Sequence, residues 1–169
     1  MSPCRIRLAG LDDLDTLAPL FNAYRQFYEQ PDDLALARGF LQQRLQRGES
    51  VVLLAEPGAG AADGKAGAAG GLGFCQLYPS FCSVEAQPIF SLYDLFVTDD
   101  ARRLGVGRAL LRAAESLALE RGVARLDLTT ARSNHRAQAL YESEGWVLDE
   151  VFLAYQRYPG APRPALKRA

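Results

Sequence analysis

The sequence predicts an α/β fold in which helices cover the faces of a mixed β-sheet. Strand-like apolar runs recur in the first hundred residues, and apolar side chains follow a helical period in two long early segments. The last third then alternates strand, helix, strand, helix and strand. A chain of 169 residues can bury one hydrophobic core. We therefore expect one domain over residues 1–158 and a Pro-rich, basic, disordered tail at 159–169.

The N-terminal third predicts two strands and two helices. Residues 5–8 alternate like a short strand. Helical spacing of apolar residues predicts a helix over 14–28, in which Pro19 could introduce a kink, and a second helix over 32–47. The continuous apolar run 51–56 predicts a buried strand.

A stretch of mostly glycine and alanine at 57–71 predicts a mobile hairpin loop. It contains Gly64 followed by Lys65, a pair that also occurs in phosphate-binding loops. Such loops need a glycine five residues before the Gly-Lys pair and Ser or Thr after it. This chain has Ala59 and Ala66 at those positions, so the stretch is interpreted as a surface loop.

The C-terminal half predicts the alternating part of the fold. Strands are predicted at 72–79, 88–97, 124–130 and 146–158, and helices at 106–121 and 134–144. Side chains in a strand point alternately to its two faces. In the strand 88–97 this puts Asp94 and Phe96 on one face, and it puts Tyr93, Leu95 and Val97 on the other.

Composition excludes several classes of function. Charged residues make up 23% of the chain and the net charge is -1, which argues against general affinity for nucleic acid. Three cysteines without a CxxC pair and the single His135 do not make a zinc site, so we predict no metal. No secretory signal is recognisable, and no segment approaches the roughly 20 apolar residues that cross a bilayer. We expect a reduced, cytoplasmic protein without a membrane partner.

A glycine turn precedes one of the predicted helices. The pattern Arg-x-x-Gly-x-Gly spans 102–107 and is followed by Arg108. A dinucleotide-binding turn would follow its strand at once and would have a third glycine where Leu110 stands. Free amides at a helix N-terminus, the helix dipole and nearby arginines form an anion site that a pyrophosphate would fit. The alternative is a glycine turn with surface arginines.

Two segments, LYDLFVTDDARRLGVGRALL and NHRAQALYESEGW, resemble the acetyl-CoA-binding motifs of the GNAT N-acetyltransferase superfamily. The resemblance covers residues 88–158 and includes both motifs at the expected separation. It implies a mixed, mostly antiparallel central sheet flanked by helices, whose strands splay at the acetyl-CoA site. It also implies an enzyme in which a primary amine attacks the thioester of acetyl-CoA directly.

The resemblance further implies how coenzyme A is held. Main-chain amides of 103–108 would cradle its pyrophosphate, with positive charge from neighbouring arginines. Val97 would offer main-chain hydrogen bonds to the pantetheine arm. The implied cofactor contacts are Leu95, Phe96, Val97, Arg102, Arg103, Leu104, Gly105, Val106, Gly107, Arg108, Asn134, Ala137 and Tyr141.

Two side chains are candidates for proton transfer. Tyr141 matches the family tyrosine that protonates the departing thiolate, and a phenol is protonated at neutral pH. The alternative is that Tyr141 fills the core beside Leu140. Asp94, three residues before Val97, is the candidate base; ordered water could serve instead, with Asp94 in a structural role. Amides near Val97 would stabilise the oxyanion.

The acceptor is less clearly encoded. The stretch GFCQLYPSFCSVEAQPIFSLYDLFV looks most like the diamine-acetyltransferase branch, in which the strand carries an acidic pair; here Tyr93 replaces the first acid. Aromatic and acidic side chains suit a cationic amine. The candidate acceptor residues are Tyr24, Tyr28, Tyr78, Tyr93 and Asp94. We expect a small cationic amine or an amino-acid-like acceptor.

Other readings of the sequence stay open. Protein N-termini or lysines could be the acceptor, or the chain could be a non-catalytic acyl-CoA-binding or regulatory module. Such a module would keep the glycine turn and lose the acid, so the presence of Tyr141 favours the enzyme. A homodimer is common in proteins of this kind.

Overall fold

The structure, a computed structural model, describes residues 4–58 and 70–160. The chain divides into two compact units, one through Thr129 and one from Thr130. We call them the first and the second unit. The single domain expected over 1–158 stays a prediction. The expected loop at 57–71 and the expected tail at 159–169 fall mostly outside the described residues.

The first unit contains a five-stranded mixed sheet. Its strands are β1 Cys4–Ala9, β2 Val51–Pro57, β3 Gly73–Cys82, β4 Gln87–Val97 and β5 Arg125–Asp127. They lie in the order β1-β2-β3-β4-β5; the first four are antiparallel, and β5 is parallel to β4. The predicted mixed, mostly antiparallel α/β fold is confirmed.

The described residues include four α-helices. Three belong to the first unit, α1 Leu14–Phe27, α2 Leu34–Gln46 and α3 Val106–Glu120, and α4 His135–Ser143 belongs to the second. Each predicted helix is confirmed, with its ends within two residues of the expected ones. Pro19 lies inside α1 without ending it.

Local side-chain bonds explain where two of these helices begin. Asp33 accepts a hydrogen bond from the Leu36 amide over 2.9 Å at the start of α2. Asn134 accepts one from the Ala137 amide over 3.2 Å at the start of α4. Each bond satisfies an amide that has no partner inside its helix.

The core of the first unit lies on both faces of the sheet. On one face, α1 and α2 pack against alternate residues of β2, β3 and β4, and α3 contacts strands β1 to β4. The apolar cluster under α1 and α2 consists of Leu14, Leu17, Leu20, Phe21, Ala37, Leu41, Val52, Leu54, Phe74 and Phe96. The central parts of β2 and β3 are buried continuously, which requires cover on both faces.

Two strand predictions need correction. The strand expected at 124–130 is shorter, because the ladder between β4 and β5 ends at Ser91 and Asp127. The strand expected at 146–158 is absent from the described residues. There the Asp149 carboxylate accepts hydrogen bonds from the amides of Val151 and Phe152, over 2.8 and 3.0 Å. These local bonds form a turn that competes with strand pairing.

Candidate active site

Strand β4 carries Asp94 into the interior of the first unit. Asp94 and Phe96 are buried on one face, as predicted, but the predicted alternation fails at Tyr93. Tyr93 is an extra residue in the ladder, because Leu92 pairs with Leu77 and Asp94 pairs with Gln76, and its exposed ring contacts Tyr78 on the Asp94 side. Only 4% of the Asp94 surface is accessible. A carboxylate at such a position needs partners that replace its hydration.

The partners of Asp94 are neutral. Gln76 donates from Nε2 to Oδ2 of Asp94 over 2.6 Å, and the Tyr24 hydroxyl also forms a hydrogen bond with this carboxyl. No lysine, arginine or histidine of the described residues forms an ion pair with Asp94. Burial raises the pKa of Asp94, and the two hydrogen bonds partly oppose this rise. Asp94 is therefore a stronger base than an exposed aspartate.

All four tyrosines predicted for the acceptor side lie close to one another around this carboxyl. The rings of Tyr24 and Tyr28 meet edge to face at 5.2 Å, and those of Tyr78 and Tyr93 at 5.5 Å. Burial, and then the charge of Asp94, raise the pKa of Tyr24, Tyr28 and Tyr78, which keeps their hydroxyls protonated. We call Tyr24, Tyr28, Gln76, Tyr78, Tyr93 and Asp94 the Asp94 cluster.

Gln76 is the member of this cluster that sequence reasoning missed. It is completely buried on β3, between apolar neighbours. One signal was available, because a lone amide inside an apolar strand must find hydrogen-bond partners in the core. The identity of those partners depends on the pairing of β3 with β4.

A cleft of about 380 Å³ opens between α1 and the end of β4. Its lining residues are Ala23, Gln26, Phe27, Phe96, Thr98, Asp99 and Arg102. Phe96 shares a strand face with Asp94, and its ring lies 6.4 Å from that of Tyr24. The cleft therefore adjoins the Asp94 cluster and has the size of a small-molecule site.

The glycine turn joins β4 to α3. Arg103 and Gly105 have positive φ angles of 65° and 82°, and α3 begins at Val106. Left-handed residues in such a turn let successive amides point to the same side, which makes a concave site for an anion. The first amides of a helix have no acceptor inside it. The positive φ angles suit an anion site, and the binding role of this turn stays a prediction.

Arg102 is held at the end of β4. Its Nε donates to the Val97 carbonyl over 3.2 Å, and its guanidinium pairs with Asp99. The same guanidinium lies over the Phe27 ring at 5.8 Å. These contacts fix Arg102 between the cleft and the glycine turn.

One edge of β4 is open beyond its short ladder with β5. In the first unit, Leu92–Val97 pairs only with β3, because the pairing with β5 stops at Ser91. The backbone groups on the other edge of this segment have no strand partner there. The predicted splay between these strands is confirmed.

The second unit holds the remaining predicted site residues. The Tyr141 ring lies 6.1 Å from Trp146, near the end of α4. The Asn134 side-chain oxygen caps α4 through the Ala137 amide. The functional roles of Tyr141, Asn134 and Ala137 stay predictions.

In residues 4–58 and 70–160, no cluster of His, Cys, Asp and Glu could hold a metal ion. Over the same residues, no helix combines the length and the apolar character needed to span a bilayer.

Comparison with known proteins identifies close relatives. A family profile described as acetyltransferase (GNAT) family matches residues 15–146. The uncharacterised N-acetyltransferase YhfO of Bacillus subtilis is 43% identical over 150 residues, covering 89% of this chain and 94% of that protein. A probable acetyltransferase of Haemophilus influenzae is 29% identical over 81% of this chain and 86% of its own length. A crystal structure of a probable acetyltransferase superposes with a TM-score of 0.82 at 40% identity, covering 94% of this chain and 99% of the other.

Proposed function

Because the chain belongs to the acetyltransferase (GNAT) family, we propose that it transfers an acetyl group from acetyl-CoA to a primary amine. The favoured acceptor is a small cationic amine. The Asp94 cluster carries this proposal, because a buried carboxylate without a cationic partner in the described residues suits an ammonium group. The surrounding tyrosine rings add cation-π attraction.

The first unit offers groups that suit coenzyme A. Amides of the glycine turn and of the first turn of α3 would hold the pyrophosphate, helped by Arg103 and Arg108. Main-chain groups on the open edge of β4, up to Val97, would bind the pantetheine arm. The bound cofactor supplies an activated acetyl thioester.

The chain's own residues would supply acid and base. The proton that leaves the attacking amine would go to Asp94, whose raised pKa makes it a better acceptor than an ordinary aspartate. Tyr141 would give a proton to the departing sulfur. Amides near Val97 would face the oxygen that becomes negative.

The residues of the Asp94 cluster suggest which kind of amine would be acetylated. The resemblance to diamine acetyltransferases fits a cationic acceptor, but Tyr93 stands where that branch has an acid. In this chain a single carboxylate, Asp94, with four tyrosines would recognise one ammonium group. A monoamine or an amino-acid-like amine suits this set better than a long polyamine.

Thiol release from acetyl-CoA tests the proposal. The acceptor panel contains monoamines, polyamines, amino acids, aminoglycosides, lysine analogues and short peptides, and acetyl-CoA binding is titrated in parallel. We expect turnover with small cationic amines, and a loss of roughly 10² to 10⁴-fold in Asp94→Asn. The matched control is Asp12→Asn, at an exposed carboxylate, which should retain full activity. Cofactor binding without turnover on the whole panel would favour an acyl-CoA-binding module.

We infer a single catalytic domain over 1–158 that acts on a small molecule rather than on nucleic acid or a membrane. No disulfide joins Cys4, Cys75 and Cys82, which all lie among the described residues, and this is usual in a reducing compartment and supports a cytoplasmic location. Sedimentation velocity would distinguish a monomer from the homodimer common in such proteins.

A further inference from the structure

Gln76 lies opposite Asp94 in the ladder between β3 and β4. The register of this ladder shifts between Gln76 and Leu77, immediately beside the pair. The Gln76 side chain is completely buried. A buried amide is stable only where its polar groups are matched, so its bonds define what this residue does.

Both bonds of the Gln76 amide nitrogen lie inside the Asp94 cluster. Nε2 donates to Oδ2 of Asp94 over 2.6 Å and to the Tyr78 hydroxyl oxygen over 2.8 Å. A carboxylate only accepts hydrogen bonds, which turns the amide nitrogen rather than the amide oxygen toward Asp94. Gln76 therefore holds the carboxylate and Tyr78 in a fixed relation.

The amide oxygen of Gln76 is buried and has no hydrogen-bond partner in the described chain. An apolar side chain of similar volume would avoid this unmatched acceptor. Packing alone therefore does not account for a glutamine at this position. The two donated bonds are what distinguishes it from an apolar residue.

We propose that Gln76 is a positioning residue for acetyl transfer, orienting Asp94 toward the acceptor amine and linking it to Tyr78 in the aromatic wall. This inference rests on the proposed function for the reaction that Asp94 serves. The orientation of Asp94 by Gln76 is a property of the folded chain itself. The proton leaving the amine nitrogen goes to a carboxylate oxygen of Asp94, and Gln76 exchanges no proton.

Few groups near Asp94 titrate in the acidic range. The titratable or charged groups that face it or its partners are Tyr24 from α1, Tyr28 just after α1, Arg44 from α2, Cys75 and Tyr78 from β3, and Tyr93 from β4. Burial raises the pKa of Tyr24, Cys75 and Tyr78, so these groups stay protonated. A titration detected at the Asp94 carboxyl carbon below neutral pH therefore reports Asp94.

Carbon-13 NMR of the Asp94 carboxyl tests the orientation without any acceptor. The variant Gln76→Met keeps the side-chain length and removes both donors. We expect the Asp94 titration to move to higher pH, because a donor that favours the charged form is lost. Gln76→Glu is the second variant if Gln76→Met fails to fold; it places a like charge beside Asp94 and should also move the titration upward.

The matched control is Asn22→Leu. Asn22 is also buried, and its Nδ2 donates to Oδ1 of Asp32 over 2.6 Å, which is the same kind of bond away from Asp94. This control should leave the Asp94 titration in place. An unchanged titration in the Gln76 variants, or an equal shift in Asn22→Leu, would overturn the assignment.

Kinetics with the best amine test the consequence for the reaction. At neutral pH, kcat/KM of Gln76→Met should fall by about tenfold or more. The acidic limb of its pH profile should move to higher pH, as the Asp94 titration does. Raising the pH should restore part of the loss. An unchanged pH profile would overturn the positioning role. Wild-type inactivity with every amine would instead reject the proposed function, while the NMR titration still decides whether Gln76 orients Asp94.

Discussion

Gly73 and Phe96 approach each other so closely that no side chain fits at position 73. A Cβ on Gly73 would lie 2.3 Å from the Phe96 carbonyl oxygen and 3.1 Å from the Val97 Cα. Both are backbone atoms of the neighbouring strand, which cannot rotate away. The missing side chain lets β3 pair with the end of β4 close to the glycine turn.

Adding a methyl group at this contact should destabilise the fold. We expect Gly73→Ala to lower the free energy of unfolding by about 1–3 kcal/mol, because a β-strand must move to relieve the overlap. Urea denaturation measures this loss. The control is Gly39→Ala in α2, where a Cβ would meet nothing within 4 Å and the helix should gain up to about 1 kcal/mol. Equal stability of the two variants would contradict the close contact.

Relative to wild type, the variant Asp94→Asn should become more stable as pH rises through the acidic range. Burial raises the pKa of Asp94 in the folded state, so the folded protein binds this proton more tightly than the unfolded chain does. The carboxyl's contribution to stability therefore falls as pH rises from the unfolded pKa through the folded pKa. We expect the unfolding free energy of Asp94→Asn minus that of wild type to increase over this acidic range and then level off. A flat difference across the range would refute the raised pKa.

Removal of Arg7 should lower the free energy of unfolding chiefly at pH values above the acidic range. The Arg7 guanidinium bonds Asp13 at 2.6 Å and Glu56 at 2.7 Å, and it lowers the pKa of both carboxyls. Their stabilising contribution is present above the unfolded pKa and disappears as pH falls through the folded one. Arg7→Met should cost about 1 kcal/mol at neutral pH in chemical denaturation and lose part of the acid dependence. The control is Arg5→Met, which should cost less, because within the described residues the exposed Arg5 pairs with Glu56 alone.

Blocking the left-handed conformation at Gly105 should weaken coenzyme A binding. Gly105 caps the N-terminus of α3 with φ at 82°, and valine there would be strained by roughly 1–2 kcal/mol. Calorimetry should detect weaker coenzyme A binding by Gly105→Val than by Gly105→Asn, because asparagine tolerates this conformation. Gly48→Val, strained at a φ of 63° after α2, should lose stability but keep its affinity. Loss of affinity in both valine variants would mean that general destabilisation, rather than the turn, is responsible.

The variant Tyr141→Phe tests the proposed acid. We expect kcat to fall by roughly 10²-fold or more, because the departing sulfur would lose its proton donor, while acetyl-CoA affinity stays unchanged. Stopped-flow thiol release and calorimetry separate the two effects. Tyr155→Phe, in the same unit but outside α4, is the control. Full turnover by Tyr141→Phe would reject the assignment.

The helices could be predicted from the sequence because their signals are local. Spacing of apolar residues and the capping residues Asp33 and Asn134 act within a few positions of each helix start. A strand instead depends on a partner elsewhere in the chain. The run 146–158 has strand-like residues, yet the local bonds of Asp149 hold part of it in a turn.

Local signals also predicted part of the Asp94 cluster, whereas contacts between distant residues were not predictable. Period-two alternation is local, and it correctly placed Asp94 and Phe96 on the same face of their strand. It misplaced Tyr93, because the shift in the ladder inserts this residue between Leu92 and Asp94. The partnership of Gln76 with Asp94 joins positions 18 residues apart and depends on the register next to a shift in the ladder. Sequence spacing does not encode that register, so Gln76 was found only in the structure.

The open edge of β4 should make the ligand-free protein prone to aggregation. In the first unit, the edge of Leu92–Val97 that lies away from β3 has no strand partner, and such an edge can template a strand from another molecule and promote aggregation. A ligand bonded along that edge would protect it and stabilise the native state, by about 2.7 kcal/mol at a hundredfold excess over Kd. We therefore expect the empty protein to aggregate first on heating, with acetyl-CoA protecting it.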